Sequence, residues 1–333
     1  MNPSILDSNS RTKYWETVSS LLNSGQYVFL AMVAEHTLHS PGTTGAKLLV
    51  AKERDPVGTI GGGIMEYNLV KRANDILENG SFSPEIHTLS HQKYGDGEKS
   101  GMICAGKQTN LHYLCHPEKD GKTVDRIIHY LNQNQSALLS ISPSGMDVRE
   151  QKHDGNKAQI ELSKDEHKWI YEEQLQNFKR IALMGGGHCS LALSRVMSQL
   201  SYDVCVFDTR DNVSTVGENK YANSVQILND YRDAAEKINY PELTQVVVMT
   251  TDVDSDVRGL LGVLNHPFPF IGIMGSEAKI SEIKKRLKNE GISKDKLSKI
   301  TAPVGIPMVS NTPEEIAISV AAQILQIRNQ DSI

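Results

Sequence analysis

A run of glycines between two apolar segments constrains this chain more than any other feature. Ile181–Met184 is short and apolar, and it leads directly into Gly185–Gly187. A helical apolar pattern follows over His188–Leu200, and a second apolar run, Val204–Phe207, ends in Asp208. This order predicts a strand, a tight glycine turn, a helix and a second strand that ends in an acid.

The predicted turn is suited to an anion. Glycines let backbone N–H groups approach a pyrophosphate closely, and the start of the helix adds a favourable dipole. Asp208 would lie at the end of the second strand, where a carboxylate can hold ribose hydroxyls. Ser190 stands where the dinucleotide fingerprint has Gly or Ala, so the turn is also compatible with a simple tight connection in a doubly wound fold.

Strand-like and helix-like segments alternate through the C-terminal half, which predicts an α/β fold with a Rossmann-like, doubly wound parallel sheet. The composition shift near Asn177 predicts two domains, a mixed α+β domain at 1–177 and the Rossmann-like domain at 178–333. The region Val148–Asp165 is polar, and His153-Asp154-Gly155-Asn156 within it predicts a turn. The predicted helices of the C-terminal half are His188–Leu200, Tyr231–Lys237, Ser255–Leu264, Ala278–Asn289 and Pro313–Ile327.

The N-terminal half contains a second glycine turn. A predicted strand at Ala46–Ala51 is followed by Gly61, Gly62 and Gly63, and helical spacing resumes at Ile64–Leu77. These glycines predict another backbone cradle for a ligand, or else only a turn with close packing. Glu66, on the helix that follows, is expected to be a solvated helix charge.

Cys104 lies in a long polar, glycine-rich segment, Ser90–Lys107, with Lys99 and Lys107 near it in sequence. A loop of this length is uncommon unless it is functional or disordered. Nearby cations favour the thiolate, the form that ligates metals or carries sulfur. Cys104 is therefore a candidate metal ligand, with an ordinary packing cysteine as the alternative.

Composition excludes several classes of function. The 35 Lys and Arg against 40 Asp and Glu give a formal net charge of −5, which argues against nucleic acid as the main partner. No apolar run approaches the roughly 20 residues of a membrane span, and no secretory signal is evident, so no membrane partner is expected. The four cysteines form no CxxC pair, which predicts a reducing, cytoplasmic location.

Asp252, Asp254 and Asp256 alternate in a predicted loop. Their spacing is similar to that of a calcium loop, but the glycine and the distal glutamate are missing. A capped helix start is the other explanation, and the better one.

Several separated motifs follow one another along the chain. They are GAKLLV (Gly45–Val50), GTIGGGIME (Gly58–Glu66), Cys104-Ala105-Gly106, MGGGHCSLALSR (Met184–Arg195), VFDTR (Val206–Arg210), FIGIMGSEAK (Phe270–Lys279) and APVGIPMVSNTPEEIAISVAAQIL (Ala302–Leu325). Taken in this order, they resemble the motifs of the xanthine dehydrogenase accessory proteins, the XdhC/CoxI family of molybdenum-cofactor chaperones.

The resemblance implies a maturation factor rather than an enzyme with its own turnover. Such a protein binds molybdenum cofactor (molybdopterin), protects it while its terminal sulfur is installed, and inserts it into a xanthine dehydrogenase-type molybdenum hydroxylase. A cysteine desulfurase and a second copy of the chain are further implied partners. The predicted binding residues are Gly61, Gly62, Gly63, Cys104, Gly185, Gly186, Gly187, His188, Asp208 and Arg210, the two glycine turns facing each other across one cleft.

A second hypothesis comes from a different class. The Gly185 turn and Asp208 would also suit an NAD(P)-dependent oxidoreductase. The sequence shows no acid–base pair beside a substrate pocket, which such an enzyme needs.

Overall fold

The chain divides into two compact units, Asn9–Gln176 and Asn177–Ile333. The structure, a computed structural model, describes residues 10–90, 106–133, 135–151, 160–165, 168–175 and 177–330. Within these ranges no helix is both long enough and apolar enough to cross a membrane.

The N-terminal unit combines two antiparallel sheets with three helices, the mixed α+β arrangement predicted from the sequence. The helices are α1 (Ser10–Asn23), α2 (Gly63–Asn79) and α3 (Pro117–Asn132). The first sheet has the order β3-β2-β1-β5-β4 and consists of β1 (Val28–His36), β2 (Lys47–Val50), β3 (Val57–Gly58), β4 (Glu85–Ser90) and β5 (Lys107–Cys115). The second has the order β7-β6-β9-β8 and consists of β6 (Ala137–Ser142), β7 (Gly145–Glu150), β8 (Ile160–Asp165) and β9 (Lys168–Gln174).

Strand β1 is buried on both faces, which explains its unbroken apolar sequence. Leu30 and Met32 pack in a cluster with Trp15 of α1. The alternate residues Phe29 and Ala31 pack in a separate cluster with the apolar stripe of α2, made by Met65, Leu69, Ala73 and Leu77. Helix α2, which begins at the N-terminal glycine turn, is thereby fixed to the sheet.

The polar region Val148–Asp165 contains strand residues that the sequence analysis did not identify. β7 extends to Glu150 and β8 occupies Ile160–Asp165, both in the second sheet. β7 buries only alternate residues, and no residue of β8 is fully buried, so neither segment carries the apolar content that marks a buried strand. The predicted turn at 153–156 lies outside the described residues.

The C-terminal unit confirms the predicted doubly wound parallel sheet. Its strand order is β12-β11-β10-β13-β14-β15, from β10 (Arg180–Met184), β11 (Asp203–Asp208), β12 (Ser224–Ile227), β13 (Thr244–Val248), β14 (Phe270–Ile273) and β15 (Ile300–Thr301). The connecting helices are α4 (His188–Gln199), α5 (Ser214–Gly217), α6 (Val253–Val263), α7 (Glu277–Asn289), α8 (Lys294–Ser298) and α9 (Pro313–Gln330). The predicted helix at Tyr231–Lys237 is a 3₁₀ helix.

Helices cover both faces of this sheet. Leu193 of α4 and Val320 of α9 belong to the core on one face, and Leu260 of α6 and Ile283 of α7 belong to the core on the other. Because helices pack on both sides, the central strands are largely apolar, as in β10, where all five residues are buried and all but Arg180 are apolar.

Candidate functional site

The strand order reverses direction between β10 and β13, the position where open α/β sheets form a ligand-binding crevice. Two loops meet at these carboxyl ends, Gly185–Gly187 after β10 and Met249–Asp252 after β13. A Cβ atom on Gly185 would lie 2.6 Å from the Met249 carbonyl oxygen, and the φ of Gly185 is +103°. Only glycine permits this approach of the two loops, which together we call the crevice.

Asp208 fastens the glycine turn from the neighbouring strand. Its carboxylate is fully buried and accepts the Gly186 N–H at 2.7 Å. Arg210 donates to both carboxylate oxygens, from Nε at 2.9 Å and from Nη2 at 2.8 Å, and its backbone N–H adds a further bond at 2.9 Å. Burial alone would raise the pKa of Asp208, but these donors hold it below its ordinary value. Both oxygens of Asp208 are engaged within the protein, so its predicted role as an acceptor for ribose hydroxyls stays a prediction that now requires these bonds to be exchanged.

The N-terminus of α4 stays open beside this fastened turn. Gly187 is the N-cap residue, no side chain caps the helix, and His188 at the first helical position is exposed. The Ser190 hydroxyl in the same turn is buried and has no partner among the described residues. The Arg210 side chain is 40% exposed. First-turn N–H groups that lack a cap form a favourable site for an anion, and Arg210 adds a positive charge next to the turn.

A second buried carboxylate fastens the other loop of the crevice, and sequence reasoning missed its role. Asp256 accepts the Thr250 N–H at 3.1 Å and the Thr250 hydroxyl at 2.6 Å, and it pairs with Lys279 Nζ at 2.5 Å. Burial raises the pKa of Asp256, although the bonds from Lys279 and Thr250 oppose the shift. The sequence gives no sign that Lys279, on α7, reaches back to this acid.

The three alternating aspartates do not form a calcium loop. Asp252 accepts the Ser255 N–H at 2.8 Å and caps α6, Asp254 pairs with Arg286, and Asp256 points inward. No group of three His, Cys, Asp or Glu side chains that could hold a metal occurs within the described ranges.

In the N-terminal glycine turn, a side chain of the helix that follows, α2, accepts hydrogen bonds from the backbone. The Glu66 carboxylate Oε2 accepts the Ile60 N–H at 2.8 Å, the Gly62 N–H at 3.1 Å and the Thr59 hydroxyl at 2.7 Å. The Gly61 N–H bonds the Thr59 hydroxyl at 3.1 Å. The expectation that Glu66 is a solvated helix charge was wrong, and the N–H groups of Gly61 and Gly62 are engaged inside the protein. Binding by Gly61, Gly62 and Gly63 stays a prediction, which now requires contacts other than these N–H groups.

Three loops of the N-terminal unit meet backbone to backbone at glycines. A Cβ on Gly61 would lie 2.8 Å from the Gly42 nitrogen, and one on Gly106 would lie 2.8 Å from the Ser40 nitrogen. The buried Gln108 side chain joins the same loops, donating to the Ile60 carbonyl at 2.9 Å and accepting the Gly42 N–H at 3.0 Å. Sequence reasoning missed Gln108 because a polar residue at the start of a strand is usually exposed.

Cys104 lies outside the described residues, so its predicted role as a thiol ligand stays a prediction. The prediction that both glycine turns share one cleft likewise stays untested. Burial raises the pKa of the other cysteines, to about 11 for Cys205. For Cys189, beside the open turn, burial raises the pKa and the nearby Glu314 raises it further, so this thiol is not activated.

Comparison with known proteins agrees with this architecture. Residues 181–324 match the XdhC Rossmann domain, and residues 21–89 match the XdhC and CoxI family. The chain is 22% identical over 334 residues to a probable xanthine dehydrogenase subunit of Bacillus subtilis (strain 168), covering 95% of this chain and 98% of that protein. It is 27% identical over 152 residues to the uncharacterized protein YqeB of Escherichia coli (strain K12), a match that spans 45% of this chain and only 27% of YqeB.

A crystal structure described as a xanthine dehydrogenase from Bacillus halodurans has the same fold. Its TM-score is 0.72 at 22% sequence identity, and the match covers 95% of this chain and 96% of that one. The two family matches together span more than half of the sequence and fall in both structural units. The chain therefore belongs to the XdhC and CoxI family.

Proposed function

We propose that this protein is an accessory factor of a xanthine dehydrogenase-type molybdenum hydroxylase, and that it holds molybdenum cofactor in the crevice of its C-terminal unit. The proposal rests on which groups of the C-terminal glycine turn are already hydrogen-bonded within the protein and which are not. Asp208 is fully engaged by Gly186 and Arg210, whereas the N-terminus of α4 has no cap. The crevice thus offers uncapped N–H groups to an anionic group such as a phosphate, and the carboxylate at the end of β11 is not free for ribose.

The residues present fit the phosphate end of such a cofactor. Gly187 and His188 would offer the first N–H groups of α4, and the exposed part of Arg210 would supply positive charge. When bound, the cofactor supplies the molybdenum–dithiolene centre that a client hydroxylase uses. The protein's own contribution is to bind and orient: Asp208 holds the turn after β10, and Asp256 holds the loop after β13.

The remaining elements of the proposal concern the N-terminal unit and partners. Cys104 would contact the sulfur–metal end of the cofactor, and a cysteine desulfurase would provide the terminal sulfur. Gly61–Gly63 would line the same ligand if the two turns share a cleft. A homodimer and a cytoplasmic location belong to the same hypothesis. These points rest on the family resemblance and on the sequence.

The NAD(P)-dependent oxidoreductase hypothesis is less well supported. It needs a carboxylate at the end of β11 that is free to accept ribose hydroxyls, and Asp208 is fully buried with both oxygens engaged. The Asp256–Lys279 pair at the crevice is an acid–base candidate, so titration of the protein with NAD(H) and NADP(H) belongs in the same set of experiments.

Gly187 provides a direct test. A Cβ at this position would meet no atom within 4 Å, and the residue has the extended conformation of an N-cap. Gly187→Asp places a carboxylate where the proposed phosphate binds, and as an N-cap it changes folding stability by only a few tenths of a kcal/mol, in the stabilising direction. We expect retained cofactor to fall about tenfold or more, since unit charges about 4 Å apart near a protein surface repel by about 4 kcal/mol.

The measurement is the fluorescent pterin released per protein after purification from a host that makes the cofactor. Gly187→Asn caps the helix without charge and Gly187→Ala adds no cap, so both controls should retain more cofactor than Gly187→Asp. Equal retention by all three variants would exclude the α4 N-terminus as the binding site. Loaded wild-type protein should also activate a cofactor-free hydroxylase more than free cofactor does.

A further inference from the structure

A small cavity lies at the opposite edge of the C-terminal sheet from the crevice. It is lined by residues at the amino-terminal ends of the strands and from the segment before β13, and its volume is about 80 Å³. Its lining is mainly polar and includes Arg180, Asp203, Gln226, Lys237, Asn239 and Thr244. The proposed cofactor site is at the carboxyl ends of the same strands, so the two are separate.

Arg180 is the principal charged group of this cavity. Only 9% of the residue is exposed. Its Nη2 pairs with Asp203 Oδ2 at 2.8 Å, and its guanidinium lies over the Tyr240 ring, 5.1 Å from the centroid. Its Nη1 is buried and has no hydrogen-bond partner in the described part of the chain. A buried cation with an unsatisfied donor is costly, so an anion held beside the Arg180 guanidinium would be stabilised by its charge.

The charge around the cavity is positive in sum. Arg180 and Lys237 contribute two positive charges, and Asp203 contributes one negative charge that Arg180 already meets on its other nitrogen. The thiol of Cys205 also lines the cavity and is uncharged, since burial raises its pKa to about 11. The remaining polar groups, such as Asn239 and Gln226, can donate further hydrogen bonds.

We propose that this cavity binds a small oxyanion, phosphate or sulfate, through Arg180 and Lys237. Arg180 and Lys237 both line the cavity, the first buried and the second exposed, so an anion held there would lie beside both cations. The volume of about 80 Å³ is well below the roughly 300–1,000 Å³ of pockets for drug-sized ligands, so a free oxyanion fits better than a nucleotide. No other part of the proposed function depends on this site.

The test is calorimetric titration of the full chain, free of cofactor, with inorganic phosphate, sulfate and glycerol 3-phosphate at constant ionic strength. Lys237→Met is the first variant, because Lys237 is exposed and its loss leaves the fold intact; the Kd should rise about two- to fivefold, as for an exposed ion pair. Arg180→Gln should raise the Kd about tenfold or more, as expected for a hydrogen bond to a charged group. Lys288→Met, which changes an exposed lysine on α7 away from the cavity, is the matched control.

The outcomes separate this site from the crevice. Gly187→Asp blocks the crevice, so binding that persists in this variant, and that Lys237→Met and Arg180→Gln weaken in it while Lys288→Met does not, supports the proposal. Tighter binding of inorganic phosphate than of the monoester supports the size argument. Binding abolished by Gly187→Asp alone would place the anion in the crevice and overturn the proposal. It is equally overturned if no oxyanion binds, or if Lys237→Met and Lys288→Met behave alike.

Discussion

The two glycine turns of this protein have similar sequences, but their backbone N–H groups are bonded differently within the protein. Each follows a strand, each contains three consecutive glycines, and each begins a helix. In the N-terminal turn, Glu66 of the following helix accepts the N–H groups of Ile60 and Gly62. Of the N–H groups in the C-terminal turn, Asp208 of the next strand accepts only that of Gly186, and the first turn of α4 stays uncapped.

The difference depends on where the protein places its own carboxylate. A Glu on the first turn of the helix folds back over the loop and fills the position that a ligand anion would take. An Asp on the adjacent strand reaches the loop from behind and leaves its outer side open. A glycine-rich turn at a helix start therefore indicates anion binding only when the neighbouring acids do not already satisfy it.

The largest expected effect is at Asp208. Asp208→Ala leaves the buried Gly186 N–H without an acceptor and the partly exposed Arg210 without its partner, which should lower the free energy of unfolding by about 2–4 kcal/mol. Both tryptophans, Trp15 and Trp169, are in the N-terminal unit, so tryptophan fluorescence follows that unit alone. Urea unfolding followed by far-UV circular dichroism should show a destabilised transition that the fluorescence does not report.

Two controls apply to this prediction. Asp211→Ala, at an exposed aspartate nearby, should leave the transition unchanged. The pKa of Asp208 is lowered in the folded protein, so its stabilisation is fully present above the unfolded pKa of about 3.9 and is lost as the pH falls through the lower folded value. The difference in the free energy of unfolding between wild type and Asp208→Ala should therefore stay constant from pH 5 to 8 and become smaller below about pH 4. A difference that does not change with pH would contradict the assigned role.

The next effect is a difference in the stability cost of alanine at two adjacent glycines of the C-terminal turn. A Cβ at Gly186 would collide with Val216 and lie 3.2 Å from Asp208 Oδ2, so Gly186→Ala should cost about 1–3 kcal/mol. Gly187→Ala meets no atom within 4 Å and should change stability by less than about 0.5 kcal/mol. Circular dichroism under the same conditions measures both. Equal costs at the two positions would mean that the turn is not held against Asp208.

The smallest effect is expected at the N-terminal glycine turn, Gly61–Gly63. Glu66 is only partly buried, so Glu66→Ala should cost the N-terminal unit about 1–2 kcal/mol through three lost hydrogen bonds. Tryptophan fluorescence follows this transition, and Glu78→Ala, at an exposed position of α2, is the matched control. Because the loop N–H groups become free, added sulfate should restore part of the lost stability in Glu66→Ala and have less effect on wild type. No response to sulfate would show that the loop N–H groups do not form an anion site.

Much of the C-terminal fold could be predicted from local pattern. The apolar runs that became β10 and β11, the glycines between them and the helical spacing of α4 are all short-range signals, and they determine a parallel sheet once they alternate. The second sheet of the N-terminal unit was harder. β7 and β8 expose much of their surface, so their sequences resemble polar loops, and only pairing with β6 and β9 makes them strands.

The sequence by itself determined the family, the presence of two glycine turns at helix starts, and the position of Asp208 at the end of β11. Only the tertiary structure decided which carboxylate satisfies which turn. The contacts of Asp208 with Gly186, of Asp256 with Lys279 and of Gln108 with Ile60 join residues about 22 to 48 positions apart. Periodicity and spacing describe neighbours within one element, whereas these bonds depend on where the packed sheet brings separate elements together.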